Sequence, residues 1–313
     1  MRAGIVGCGA VVQKNYLSVL PSLPFLTVTD VYDVNGSSAQ RIAEIINARV
    51  STLAEIKANT DVVIIATPPQ THYQLVKEFL LANKNVICEK PFVEKKELAQ
   101  ELFDLSQEKN VNLFVAHFRR CFPQLQLARS IILSGILGNV KAFSAIEGGR
   151  FTWESKSGYT ATDPFGGVLF DTGSHTLDMV LYASGFDFGE IEFFIRTQER
   201  DKHEPSNEMK ARLTFQTANS NGTAFIYFSR YQALANMIRI TCENGSLECS
   251  VGLSNQILLR GSNGVSVVYT RENVSNLMDC FGRQFFEMFY YKNDAFSVKN
   301  FINLSSLLEK LSQ

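Results

Sequence analysis

Three groups of residues in this chain have types and spacings suited to chemistry on a small molecule. The first is Gly7-Cys8-Gly9-Ala10-Val11-Val12, which follows a short apolar run and opens a helical pattern. Two glycines there permit a tight turn and close backbone approach, so a pyrophosphate can rest on the N–H groups around Gly7, Gly9, Ala10 and Val11. The third position of the G-x-G-x-x-G pattern is Val12, a departure, because that residue packs helix on strand and Val needs more room than Gly or Ala. By itself the motif also fits a plain strand-helix turn. Asp33 points further: it closes the next strand 24 residues after Gly9, where a carboxylate accepts from ribose hydroxyls and repels a 2′-phosphate. Val34 and Asn35 follow, with no Arg or Lys to receive such a phosphate, so the expected dinucleotide is NAD, with NADP second. Asp30 is the competing carboxylate, but strand alternation sends it to the opposite face.

The second group is Glu89-Lys90-Pro91, at the end of another strand of parallel type, where open α/β sheets hold their ligands. Proline restricts Lys90 to extended geometry, which would aim its ammonium into the crevice; a solvated loop charge is the plain alternative. Thr67, Pro68 and His72 line the same crevice in this reading, and together with Glu89 and Lys90 they are expected to contact the cofactor. The third group is Asp171, His175 and Asp178 within GGVLFDTGSHTLD. On a helix these residues share one face, and His is the side chain best suited to exchange a proton near neutral pH. A buried, hydrogen-bonded histidine is the ordinary reading of an isolated case, and the flanking carboxylates argue against it.

The elements that must position these residues change character along the chain. Up to about residue 116, short apolar runs alternate with helical patterns, as in βαβ units around a parallel sheet: strands at Arg2–Val6, Leu26–Tyr32, Asp61–Ala66, Asn85–Cys88 and Val111–Ala116, with helices at Ser38–Ile46, His72–Ala82 and Glu94–Lys109 between them. Ser37 or Ser38 is the expected cap of the first of these helices. From about Gly138 strands come mostly without helices, and Asn221-Gly222, Asn244-Gly245 and Asn263-Gly264 read as type I′ hairpin corners. A helix is expected around Gly166–Ala183 and two more near the C-terminus. The expected fold is an α/β Rossmann domain with a doubly wound parallel sheet over residues 1–120. An α+β domain with a large, open, mostly antiparallel sheet follows over 121–313, for substrate binding and oligomerisation.

Composition bounds the partners. The chain has 313 residues, 45% hydrophobic and 19% charged, with a net charge of −1, so it is neither disordered in character nor equipped to collect nucleic acid or an anionic membrane. No apolar run reaches the ~18 residues of a spanning helix, and no leader-type pattern opens the chain, so a cytoplasmic protein is expected. The six cysteines show no zinc-ligand spacing, so no metal site is expected and buried thiols are the better reading.

In this order and spacing, Gly7-x-Gly9, Glu89-Lys90-Pro91 and Asp171-x-x-x-His175-x-x-Asp178 closely resemble the Gfo/Idh/MocA oxidoreductases, the family of glucose-fructose oxidoreductase and inositol dehydrogenase. Thr67-Pro68, His72, Phe118-Arg119-Arg120, Pro123, Ser134-Gly135, Gly138 and Gly166-Gly167 fit the same pattern, so the likeness runs through essentially the whole chain. The resemblance implies hydride transfer between a nicotinamide cofactor and a hydroxyl or keto carbon of a sugar, cyclitol or nucleotide sugar. It implies that Lys90 hydrogen-bonds the reacting oxygen, that Asp171 orients a neighbouring hydroxyl and that His175 is the acid or base. Family members that reduce keto-sugars often carry Tyr where His175 stands, so His leans toward the inositol and nucleotide-sugar branch. His117, Arg119, Arg150, Trp153 and Asp178 are the further residues expected to reach the substrate; Trp153 could stack on a sugar ring, and two arginines would suit a phosphate or carboxylate. The resemblance also implies a homodimer or homotetramer built on the C-terminal sheet. A catalytically silent dinucleotide-binding regulator and an NAD-dependent glycosidase or lyase with transient oxidation are the alternative functions.

Overall fold

The computed structural model describes all residues except 151, 153–162, 273 and 275. They divide into two compact units. The first comprises Met1–His117 and Phe281–Asn300; the second takes the described residues between 118 and 280, together with Phe301–Gln313.

The first unit is built on a six-stranded sheet in the order β3-β2-β1-β4-β5-β6, parallel throughout. The strands are β1 (Arg2–Val6), β2 (Thr27–Tyr32), β3 (Arg49–Val50), β4 (Val62–Ile65), β5 (Asn85–Glu89) and β6 (Leu113–Ala116). Their connections are the helical stretch α1 (residues 10–19), α2 (Gly36–Ile46), α3 (Leu53–Asn59), α4 (His72–Leu81) and α5 (Lys96–Lys109). The sequence Val62-Val63-Ile64-Ile65 is wholly buried, as a central strand covered on both faces must be. Strand order reverses between β1 and β4, which sets the loop after Val6 beside the loop after Ile65, the switch point where such sheets hold ligands. The cap of α2 is Asn35 and neither serine: its side chain accepts from the N–H groups of Ser37 and Ser38. The two-residue β3 and the helix α3, opened by a Thr52/Glu55 capping box, are too short to announce themselves by periodicity. Phe281–Asn300 belongs to this unit because its aromatics pack there. Phe281 and Phe285 meet the ring of Tyr16 edge-on, Phe286 meets Phe25, and Ser297 bridges to Phe114.

The second unit is organised by an eight-stranded sheet. It is formed by β7 (Val140–Gly148), β8 (Ile191–Arg200), β9 (Glu208–Thr217), β10 (Asn221–Ser229), β11 (Met237–Cys242), β12 (Gly245–Ser250), β13 (Gln256–Gly261) and β14 (Gly264–Tyr269), in the order β14-β13-β12-β11-β7-β10-β9-β8. Only β7 and β10 run parallel; the other pairings are antiparallel. Alternate residues such as Met209, Ala211, Leu213 and Phe215 are buried, giving the sheet one apolar face. Helices α6 (Pro123–Leu133), α7 (Ser174–Ser184) and α9 (Ile302–Ser312) pack on it, and α8 (Leu277–Phe285) follows β14. Helix α6 is not among the helices expected from periodicity.

The Asn-Gly pairs do not form the hairpin corners. Asn221 and Gly222 pair with Gln216 and Phe215 inside the ladder, the second corner is Glu243-Asn244, and the third is Ser262-Asn263 with Gly264 already in the strand. None of these asparagines adopts the left-handed backbone of a type I′ corner. Gly222 is needed for another reason: a Cβ there would lie 2.3 Å from the Lys141 carbonyl oxygen. Asn221→Thr should therefore change stability by no more than about 0.5 kcal/mol in chemical denaturation, as for an exposed strand residue. A loss of about 1–3 kcal/mol, the strain of a β-branched residue in a left-handed corner, would contradict this placement.

Candidate active site

In the first unit the dinucleotide loop is shaped by Gly7. Its φ is +97°, and a Cβ would sit 2.6 Å from the carbonyl carbon and oxygen of Ala66, so both the backbone and the close approach demand glycine. Gly9 differs, since a Cβ on it would meet nothing within 4 Å. The space in front of its backbone is open, which is what a pyrophosphate resting on the loop requires. Helix α1 starts here: the Gly9 carbonyl accepts the Gln13 N–H at 3.1 Å, leaving the N–H groups of Ala10 and Val11 in the first turn. Val12 is fully buried, and the helix adopts π geometry over Val12–Tyr16.

Asp33 stands at the end of β2 with one carboxylate oxygen accepting the Cys8 N–H and the other the Asn35 N–H, each at 2.7 Å. A carboxylate has about four acceptor positions, so these bonds fix its direction and leave capacity for ribose hydroxyls. Asp30 is buried and bonded to Ser51 and Arg49, a structural role on the other side of the strand. Cys8 carries no nucleophile: burial, reinforced by the charge of Asp33, pushes its thiol up to about 12. Sequence reasoning missed Gln13 and Arg41, which link α2 to the loop. Arg41 donates to the Gln13 amide oxygen, and Gln13 donates to the Cys8 carbonyl at 2.6 Å. No motif marks them.

Lys90 follows β5 directly, is partly exposed, and joins Pro91 through a cis peptide bond. Thr67 and Pro68, after β4, are also partly exposed. Two expected cofactor contacts are corrected. Glu89 is 8% exposed and accepts both the Tyr16 hydroxyl and the Lys90 N–H, so its carboxylate is engaged inside the protein. His72 is fully buried, with Nε2 2.9 Å from the Thr67 carbonyl oxygen and Nδ1 2.9 Å from that of Pro91. It ties the two strand-end loops together and lines no surface.

In the second unit the segment after Gly167 enters a π-helical turn, Leu169–Gly173, that runs into α7. Gly173 allows close packing on β10: a Cβ there would lie 2.8 Å from the Phe228 ring. Every residue of α7 except His175 is buried, so a helix enclosed on all sides opens only at its imidazole. The His175 ring meets Phe118 edge-on at 5.7 Å. Asp171, in the π turn, accepts Arg230 Nη2 at 2.9 Å, a partner from the end of β10 that the sequence did not suggest. Phe118 also borders a cleft of about 480 Å³, whose walls include Arg119, Phe122, Val251, Leu253 and Leu277.

Two expected substrate contacts, Asp178 and His117, are buried, and Arg119 stands in the cleft wall with a carboxylate partner. Asp178 is fully buried and bidentate to Arg120: it lies three residues after His175 in the same regular helix, on the part of its surface that faces the buried guanidinium. Arg119 is bidentate to Glu147 at 2.8 and 2.9 Å, which also takes the Thr176 hydroxyl. His117 is fully buried after β6. Arg150 is exposed, and Trp153 lies outside the described residues.

Residues 1–117 match the oxidoreductase family with NAD-binding Rossmann fold, and residues 125–248 match the GFO/IDH/MocA C-terminal domain. The chain belongs to the Gfo/Idh/MocA oxidoreductase family. Among its Gfo/Idh/MocA relatives is the glucose-6-phosphate 3-dehydrogenase of Bacillus subtilis, 26% identical over 60% of this chain and 55% of that protein. Alignments with the first curated relatives span only 35–57% of those proteins' lengths. Solved structures with this fold include an Agrobacterium radiobacter oxidoreductase in complex with NAD+, L-tartaric acid and magnesium, at 17% identity and a TM-score of 0.79, covering 100% of this chain and 96% of that one. KijD10, a 3-ketoreductase from Actinomadura kijaniata in complex with NADP and TDP-benzene, matches at 18% identity and a TM-score of 0.79 over 99% of this chain and 96% of its own. An NAD-binding Rossmann fold is thus established, and no described helix is long and apolar enough to cross a membrane.

The corrected role of Asp178 has a measurable consequence. Asp178→Ala removes the bidentate partner of the buried Arg120 guanidinium and leaves it only Asp187, which Arg129 shares; it should cost about 3–5 kcal/mol in denaturant unfolding. A variant as stable as the parent would contradict the structural assignment.

Proposed function

We propose that this Gfo/Idh/MocA protein is an NAD-dependent dehydrogenase or reductase acting at a secondary hydroxyl or keto carbon of a sugar, cyclitol or nucleotide sugar. The observation that carries the reading is the enclosure of α7 everywhere but at His175, with the Arg230-bound carboxylate of Asp171 four residues before it. The bound nicotinamide supplies the hydride chemistry, as the cofactor does in such enzymes. His175 takes the hydroxyl proton in oxidation and returns it in reduction. Lys90 donates a hydrogen bond to the oxygen on the reacting carbon, and Asp171 accepts one from a neighbouring hydroxyl, fixing which carbon is presented. The cleft bordered by Phe118 takes the part of the substrate away from that carbon. Support for a sugar comes from the names of relatives, glucose-6-phosphate 3-dehydrogenase and D-glucoside 3-dehydrogenase. Support for NAD comes from Asp33, whose charge and direction favour ribose hydroxyls over a phosphate. For the oligomer, the reading places the subunit contact on the outer face of the second sheet, where Lys210 lies over Tyr227 and Arg212 over Phe225.

A screen of sugars, cyclitols and nucleotide sugars for NAD reduction, with keto-sugars in reverse, identifies the substrate. With it, His175→Ala should lower turnover by about 10²–10⁴-fold and Lys90→Met by about 10²–10³-fold, while NAD affinity is retained. Undiminished turnover in either variant contradicts the assigned roles. Asp33→Ser should weaken NAD binding and narrow its advantage over NADP in calorimetric titration; equal affinities in the parent protein would refute the cofactor choice.

A further inference from the structure

We infer that Tyr16 and Glu89 form a positioning pair for Lys90, joining the helix that leaves the glycine loop to the backbone of the residue proposed to hold the reacting oxygen. The inference rests on the role given to Lys90 above. Both side chains are buried, the Tyr16 hydroxyl donates to Glu89 Oε1, and Glu89 Oε2 accepts the Lys90 N–H at 3.1 Å. One carboxylate therefore connects α1 to the residue that follows β5.

The helix is built to make this contact. Tyr16 is the last residue of the π turn Val12–Tyr16, and a π turn adds a residue to the helical repeat and so redirects the side chains beyond it. Phe281 and Phe285 pack edge-on against the Tyr16 ring at 6.2 and 5.4 Å, and Gln284 beside them is fully buried, so the phenol has a fixed direction. These surroundings oppose charge: burial raises the Glu89 carboxyl above its usual range, against the influence of Tyr16 and Lys90, and raises the Tyr16 phenol as well. A buried carboxyl group depends on the few donors it has, so removing one perturbs what the other holds. Helix α1 begins at the loop that receives the dinucleotide. The pair thus places Lys90 relative to that loop, a task that neither Glu-Lys-Pro nor the glycine motif performs alone.

Hydrogen exchange at the Lys90 amide tests this directly in the ligand-free protein, by NMR with nitrogen-15 lysine labelling. Tyr16→Phe keeps the ring among its aromatic neighbours and removes only the hydroxyl. It should speed exchange at Lys90 by about tenfold, the loss of one hydrogen bond, while the lysine amides of α5 are unmoved. Turnover of the identified substrate should fall by about tenfold with NAD affinity retained. Glu89→Gln is the second variant: its amide oxygen can still accept from Tyr16 but its NH2 cannot accept from Lys90, so Lys90 exchange should rise again. A merely structural pair would lower the melting temperature and speed exchange at Lys84, just before β5, and at the lysines of α5 together. That outcome, or Lys90 exchange unchanged in both variants, overturns the inference. Faster Lys90 exchange without any sugar turnover would uphold the pair and refute the proposed function; turnover with unchanged exchange would do the reverse.

Discussion

Arg120 is a guanidinium with 1% of its surface exposed, and the second unit is arranged around the need to keep it charged there. Asp178 grips it with both oxygens, Asp187 takes Nη1 while also accepting Arg129, and the rings of Phe301 and Tyr182 lie 4.0 and 4.8 Å from its centre. Burial works against the charge, and the two carboxylates outweigh it, holding the guanidinium above its usual range. Because Asp178 belongs to α7, satisfying Arg120 fixes the rotation of the helix. The two residues before Arg120 act on the same helix: Arg119 fixes Glu147, which holds Thr176, and Phe118 faces His175. Three consecutive side chains thus determine that His175 is the position at which a buried helix opens.

The first unit solves its problem with backbone groups. A parallel sheet puts the ends of β1, β2, β4 and β5 along one edge, and the loops there must hold still without regular ladders to hold them. Gly7 fits its loop against Ala66, Asp33 takes the Cys8 N–H, His72 spans the loops after β4 and β5, and Glu89 joins Tyr16 to Lys90. The polar groups nearest the proposed cofactor and reacting oxygen are mostly braced by others that never reach a ligand.

This division explains what could be read from the residues. The βαβ rhythm, the antiparallel second half and the family follow from periodicity and from motifs whose chemistry is local: two glycines, a strand-end carboxylate, a Lys before Pro. Roles decided by pairing across long sequence separations were illegible. Asp178 reads like a third member of a polar stripe until Arg120 is found 58 residues earlier, and the pairing of Arg119 with Glu147 has no local signal. Glu89 and His72 lie in the right motifs, yet burial turns them inward. Asn221-Gly222 misled because ladder register, set by the buried faces of β9 and β10, outranks local turn preference. Of the site residues singled out in the sequence, Gly9, Ala10, Val11, Asp33, Thr67, Pro68, Lys90, Arg119, Arg150, Asp171 and His175 are not buried.

In the proposed reaction hydrogen passes as hydride between a sugar-type carbon and a nicotinamide, with His175 exchanging only the hydroxyl proton. Turnover of a substrate deuterated at the reacting carbon, with the reduced dinucleotide collected and weighed by mass spectrometry, tests it most directly. The expected result is one deuterium in each reduced dinucleotide and none lost to water. Deuterium appearing in solvent, or remaining on the product while no reduced dinucleotide accumulates, would contradict it.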